Sequence, residues 1–180
     1  MDFGGVDDVQ KGLRNLPKME HFLDMKAVLV VRDAEGNVEA AVNALQYVLQ
    51  DSVNASVDKF GKLTISDDGI KVGFVLLPGV DNKGEFVSGT LEDLCLKILK
   101  PEKAAMVLGY TDSCLEQIKQ DVYADKEYKT KHKNRLHAYF SATDRFVGMK
   151  IGEVAKSGAF DFGNKALEFL KKALQEMVEE

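Results

Sequence analysis

The sequence predicts an α/β fold: a mostly parallel central sheet flanked by helices, with a helical C-terminal portion. Three observations carry that expectation. Two apolar, valine-bearing runs, KAVLVVR at residues 26 to 32 and IKVGFVLLPG at 70 to 79, have the length and composition of buried strands. Between them, Val38, Ala41, Val42, Leu45, Val48 and Leu49 recur at spacings of three and four, which is one face of a helix. From residue 112 onward the pattern is mostly helical.

In chain order, KAVLVVR gives the first strand, expected to be buried on both faces. The helix after it has Asn37 or Asp33 placed to cap its start. KLTISDDGI predicts a short strand and a turn, and IKVGFVLLPG the next strand, closed by Pro78-Gly79. Strand, helix, strand at this spacing gives a parallel pair through a right-handed crossover. VDNKGEFVSG at 80 to 89 is a polar loop. Thr90 then caps TLEDLCLKIL, with Asp93 at capping-box spacing and Pro101 marking the end. Residues 113 to 142 predict one long helix or a broken pair. IGEVAKSG predicts a short helix closed by Gly158. The last helix runs from about Asn164 to Val178, with Ala166, Leu167, Leu170, Leu174, Met177 and Val178 on one face. No internal repeat or low-complexity linker interrupts the chain, so residues 1–180 are expected to form one domain.

Composition narrows the function classes. The 180 residues are 45% hydrophobic, enough to bury a real core. No apolar run approaches the ~20 residues of a membrane span, so no membrane partner is expected. MDFGGVDD has neither the basic nor the apolar region of a secretory signal. Cys95 and Cys114 sit in apolar helical contexts without a CxxC pair and read as reduced core thiols of a cytoplasmic protein. Three histidines without a CxxC pair to complete a ligand set give no zinc pattern. The net charge of −5 argues against non-specific coating of nucleic acid, but the charge is uneven. DKEYKTKHKNR, residues 125 to 135, concentrates Lys126, Lys129, Lys131, Lys133 and Arg135 against Asp125 and Glu127. Such a run is ordinarily a solvated helix face.

Ligands of parallel sheets bind beyond the carboxyl ends of the strands. Asp33 and Glu35 follow the first strand, Asp81 follows the second, and Glu92 and Asp93 open the next helix, so these carboxylates are expected to converge on one edge. Oxygen donors without histidine or cysteine suit Mg²⁺ or Mn²⁺. Each signal also has a plain structural explanation. Acidic residues are common after strands, and they stabilise helix starts through the helix dipole. A calcium loop beginning at Asp33 fails, because its sixth and twelfth positions are Val38 and Ala44.

Taken together, DAEGN after an apolar strand, LLPGVDNKGEFVSGTLEDLCLKIL, KNRLHAYFSA and GEVAKSGAFDF, in that order, resemble a small prokaryotic family related to the TOPRIM domain of overcoming-lysogenization-defect (OLD) nucleases. The resemblance covers roughly residues 3 to 175. It implies a TOPRIM-like fold with an acidic Mg²⁺ site for phosphodiester cleavage or transfer in nucleic acid. Asp33 and Glu35 match the family's Asp-x-Asp position, with Glu as the second member. Glu92 and Asp93 match its acidic segment, and Lys133 its lysine before the L-x-A-Y helix. The sequence departs from the pattern at its start. TOPRIM domains open with a strand ending in Glu-Gly, whereas MDFGGVDDVQKGLRNL matches the end of the second strand and the helix after it. The expectation is therefore a single TOPRIM-like domain, residues 1–180, lacking the family's first strand and helix.

On that resemblance, Asp33, Glu35, Glu92 and Asp93 are the implied metal ligands, and Lys133 would stabilise charge on the phosphoryl oxygens. Lys126, Lys129, Lys131, Lys133 and Arg135 would track a nucleic-acid backbone. A sheet edge left bare by the missing strand is expected to favour homo-oligomers. Two rivals stand beside the nuclease reading. One is a non-catalytic binding or regulatory module of the same fold. The other is a haloacid-dehalogenase-type phosphatase, against which Arg32 stands between strand and Asp33, and Asn37 replaces the expected threonine.

Overall fold

Three strands, β1 (Ala27–Asp33), β2 (Thr64–Ile65) and β3 (Lys71–Leu77), form one sheet in the order β1-β3-β2 in the computed structural model. It describes residues 6–123, 126 and 130–179. β1 and β3 run parallel, from Ala27 opposite Lys71 to Asp33 opposite Leu77. β2 pairs antiparallel with β3, so the sheet is mixed and parallel only in its longer pair. The chain is a mixed α/β protein in which helices flank this small sheet. It divides into two compact units, Met1–Gly89 with Leu167–Glu180, and Thr90–Ala166.

In the first unit, α1 (Val6–Asn15) and α2 (Val38–Val53) close one face of the sheet. The predicted face of α2 is the buried one: Leu45, Val48 and Leu49 are at most 1% exposed and pack with Val72, Phe74 and Leu76 of β3. Asn37 caps this helix, its Oδ1 accepting from the Ala40 N–H at 3.0 Å. β3 is buried almost throughout, as a central strand should be. β1 lies at the edge among the described residues and is only half-buried, Val31 being 45% exposed, which corrects the expectation of burial on both faces. The strand also continues through Arg32 and Asp33, so Arg32 is part of it rather than a break before Asp33.

The other face of the sheet receives the last helix of the chain, α7 (Glu168–Val178). The Lys71 ammonium donates to the carbonyl oxygens of Glu176 and Glu179, tying the start of β3 to the end of that helix. Of the predicted face, Leu167 is buried and Ala166, Leu170 and Met177 are partly covered, whereas Leu174 and Val178 are exposed; Phe169 and Ala173 are partly covered as well.

The second unit is helical: α3 (Leu91–Ile98), α4 (Pro101–Tyr123), α5 (Lys131–Ala142) and α6 (Ile151–Lys156). Pro101 does more than end α3, because it begins α4. Proline is favoured at a first helical position, where its missing N–H has no partner to lose. The predicted region 113–142 is a broken pair, since α4 stops at Tyr123 and α5 starts at Lys131. Tyr139 and Phe140 of α5 pack with Phe146 in an aromatic cluster, and Leu136 on the same helix is fully buried. The bridge between Leu99 and Phe160 closes the unit.

Candidate functional site

Asp33 is the last residue of β1, at the carboxyl end of the parallel pair. The backbone then turns sharply. The Ala34 N–H still donates to Leu77 O at 2.9 Å, and Glu35 adopts φ 55 in the left-handed region. Glu35 and Gly89 exchange two backbone hydrogen bonds of 2.9 Å each. An exposed glutamate is thus fixed, two residues beyond the strand end, in a conformation that costs a non-glycine residue about 1–2 kcal/mol. Asp81, the other acidic residue after a strand, is used locally. Its Oδ1 accepts from the N–H groups of Lys83 at 2.8 Å and Glu85 at 3.0 Å. Those bonds from Glu85 and Lys83 hold its carboxyl below the ordinary range.

Glu92 and Asp93 belong to the second unit, at the start of α3. Asp93 closes the predicted capping box: its Oδ2 accepts from the Thr90 N–H at 2.8 Å and hydroxyl at 3.3 Å. Its Oδ1 lies 2.7 Å from His132 Nδ1 of α5. Both carboxylate oxygens are therefore engaged within the unit. Glu92 is buried on the same turn. Burial first, and the Glu92 charge second, push the Cys95 thiol up to about 12. Cys114, expected in the core, is exposed on α4.

The basic segment is divided. Lys126 and Lys131 are exposed, Lys133 is half-buried on α5, and Lys129 lies outside the described residues. Arg135 turns back to α4, where its Nε and Nη2 meet the two carboxylate oxygens of Asp112 at 2.6 and 2.7 Å. Around this bidentate pair is a cleft of about 360 Å³ between α4 and α5, lined also by Lys119, Lys131 and His132. Sequence reasoning missed Asp112, Lys119 and His132. The opposite charges of Asp112 and Arg135 were visible, but not that two helices would bring them together.

The oxygen donors fit Mg²⁺ or Mn²⁺ in kind, since either ion is held by one or two carboxylates together with water and substrate phosphate. In the first unit Asp33 and Glu35 are the pair that could hold it. Among the described residues, no three His, Cys, Asp or Glu side chains form one ligand set. No curated protein and no solved structure matches this chain. A family model does: the one described as protein of unknown function (DUF3226) matches residues 1–179, and the chain belongs to that family.

Proposed function

We propose that this chain is a TOPRIM-like module acting on nucleic acid, in which Asp33 and Glu35 hold Mg²⁺ or Mn²⁺ against a backbone phosphate. The observation that carries the reading is the placement of Glu35. It is exposed, stands two residues past the carboxyl end of a parallel strand, and is pinned by Gly89 in the left-handed region. Strain of that kind in a non-glycine residue points to use of its side chain. When bound, the ion would neutralise phosphate charge and lower the pKa of a bound water. The protein's own part is to fix the two carboxylates: β1 pairing with β3 positions Asp33, and the Gly89 bridge positions Glu35. Lys126, Lys129, Lys131 and Lys133 supply phosphate contacts that attract without reading sequence.

A second reading, binding without cleavage, is favoured by Asp93. The family resemblance implies a metal ligand there, yet both of its oxygens are occupied by Thr90 and His132. One experiment separates the two. The full chain and the Asp33→Ala and Lys133→Ala variants are titrated with Mn²⁺ by NMR and assayed on supercoiled plasmid. Selective broadening of residues 32 to 37, lost in Asp33→Ala, is expected. Metal-dependent nicking that disappears with Asp33 supports the nuclease, and selective broadening without nicking supports the binding module. Uniform broadening across acidic residues would reject the site.

A further inference from the structure

A cavity of about 720 Å³ in the first unit takes no part in the acidic strand end. β3 contributes Phe74 and Val75 to its lining, α7 contributes Phe169 and Ala173, and two turns make much of the wall. Each turn is organised by an aspartate. Asp58 Oδ1 accepts from the N–H groups of Phe60 at 2.9 Å and Lys62 at 3.1 Å. Asp81 does the same for Lys83 and Glu85 at 2.8 and 3.0 Å. The first turn is clamped to β3, because Gly61 O accepts from the Phe74 N–H at 3.0 Å. A Cβ at Gly61 would stand 2.0 Å from Phe74 O, so no side chain can intrude there. Both turns therefore present a lysine, Lys62 or Lys83, from a fixed backbone at the cavity wall.

The carboxylates and the lysines of this wall differ in how they are paired. Of the wall's carboxylates, Glu168 lies 3.1 Å from Lys171 and Glu176 lies 3.9 Å from Lys172. Among the described residues, neither Lys62 nor Lys83 has a carboxylate within ion-pair distance. Phe60 is 38% exposed, with the Lys59 and Lys62 ammonium groups 4.8 and 5.7 Å from its ring centre. Aromatic faces beside lysines held on rigid turns match a ligand with a flat ring system and a multiply charged anionic group. Stacking on rings and attraction to cations is how proteins hold nucleotides without reading their sequence. A flexible alkyl anion would use the apolar lining but leave the ring faces and the second lysine unmatched.

We infer that this cavity binds a nucleotide, its base against Phe60 and Phe169 and its phosphate at Lys62 and Lys83. The nucleotide is either free or an unpaired residue of a strand. No metal is required, and the site is separate from the one proposed at Asp33. The test is calorimetric titration of the full chain in EDTA with AMP, with a 5′-phosphorylated octathymidylate and with decanoate. AMP binding alone assigns a free nucleotide, and oligonucleotide binding alone assigns a strand. In either case Lys62→Ala and Lys83→Ala, both exposed turn positions, should each weaken binding about tenfold. Asp33→Ala should leave it unchanged. Failure of both nucleotide probes, decanoate binding in their place, indifference to the lysines, or loss of binding in Asp33→Ala would each overturn the assignment.

Discussion

Glu35 and Gly89 are joined by a reciprocal pair of backbone hydrogen bonds, 2.9 Å in each direction, while Glu35 stands at φ 55. A glycine would accept that conformation without strain, so the glutamate is held there at a cost to stability. Glu35→Gly should therefore be more stable than Glu35→Ala by about 1 kcal/mol in urea unfolding. Both variants should lose the selective Mn²⁺ broadening of residues 32 to 37. A glycine variant no more stable than the alanine one would mean that the left-handed backbone carries no strain.

Asp93 is expected to behave as a structural residue. Asp93→Ala removes the acceptor for Thr90 and the partner of His132, and should cost ~1–2 kcal/mol. Asp93→Asn keeps an oxygen for the Thr90 N–H and should cost less. His132 is 55% exposed, so His132→Ala should cost under about 1 kcal/mol. Denaturant melts of the three variants check the order, and an alanine variant as stable as the parent would undo it.

The two thiols should separate chemically. Cys95 is 3% exposed and its thiol is pushed up to about 12, by burial first and by Glu92 second. A thiol raised in the folded state holds its proton after the unfolded chain has released it. Its contribution to stability is thus complete below the ordinary value of 9.0 and is lost as pH rises from there towards about 12. At pH 8 a thiol-disulfide reagent should modify exposed Cys114 promptly and Cys95 only on unfolding. Equal rates for both would contradict the burial of Cys95.

Local pattern explains which parts of this architecture could be read from the chain. The α2 face, its Asn37 cap and the Thr90/Asp93 box are written in spacings of three or four residues, where periodicity and capping chemistry act, and the parallel β1–β3 pair in the order strand, helix, strand. Long-range packing was not legible. Val31 is exposed because β1 is an edge strand, and a valine run looks the same at an edge or at the centre. The face of α7 is legible only in part: Leu167, Leu170 and Met177 are covered as the spacing suggests, but Leu174 and Val178 are exposed, and Phe169 seats against Gly79, whose added Cβ would lie 2.6 Å from the ring. Of the candidate site, Asp33 and Glu35 were visible as residue types after a strand. The pinning of Glu35 by Gly89, 54 residues away, and the engagement of Asp93 by His132 depend on tertiary contacts that spacing does not encode.

The edge position of β1 bears on self-association. Among the described residues no strand pairs with its outer side, and Val31 on that strand is exposed. An open edge is a template for a second chain, so concentration-dependent dimers are expected. Val31→Lys should suppress them, because charged edge residues discourage pairing. Light scattering over a range of concentrations decides this; a parent chain that stays monomeric would reject the edge as an interface.

The basic segment should not act as a uniform patch. Lys131 and Lys133 belong to α5 and Lys126 precedes it, whereas Arg135 directs its Nε and Nη2 at the Asp112 carboxylate at 2.6 and 2.7 Å. A cation already paired with a carboxylate releases few counterions when phosphate arrives, so it adds little to the salt dependence of binding. Each alanine substitution at Lys126, Lys131 or Lys133 should therefore reduce the slope of log affinity against log salt by about 1. The double substitution Asp112→Ala with Arg135→Ala removes one charge of each sign. It should leave the slope unchanged while costing roughly 0.5–1 kcal/mol of stability, the value of a partly exposed pair. Binding of a short DNA duplex across a salt series, alongside urea melts, measures both quantities. A double variant with its slope reduced by a full unit would place Arg135 on the phosphate itself and make Asp112 a partner that yields to it.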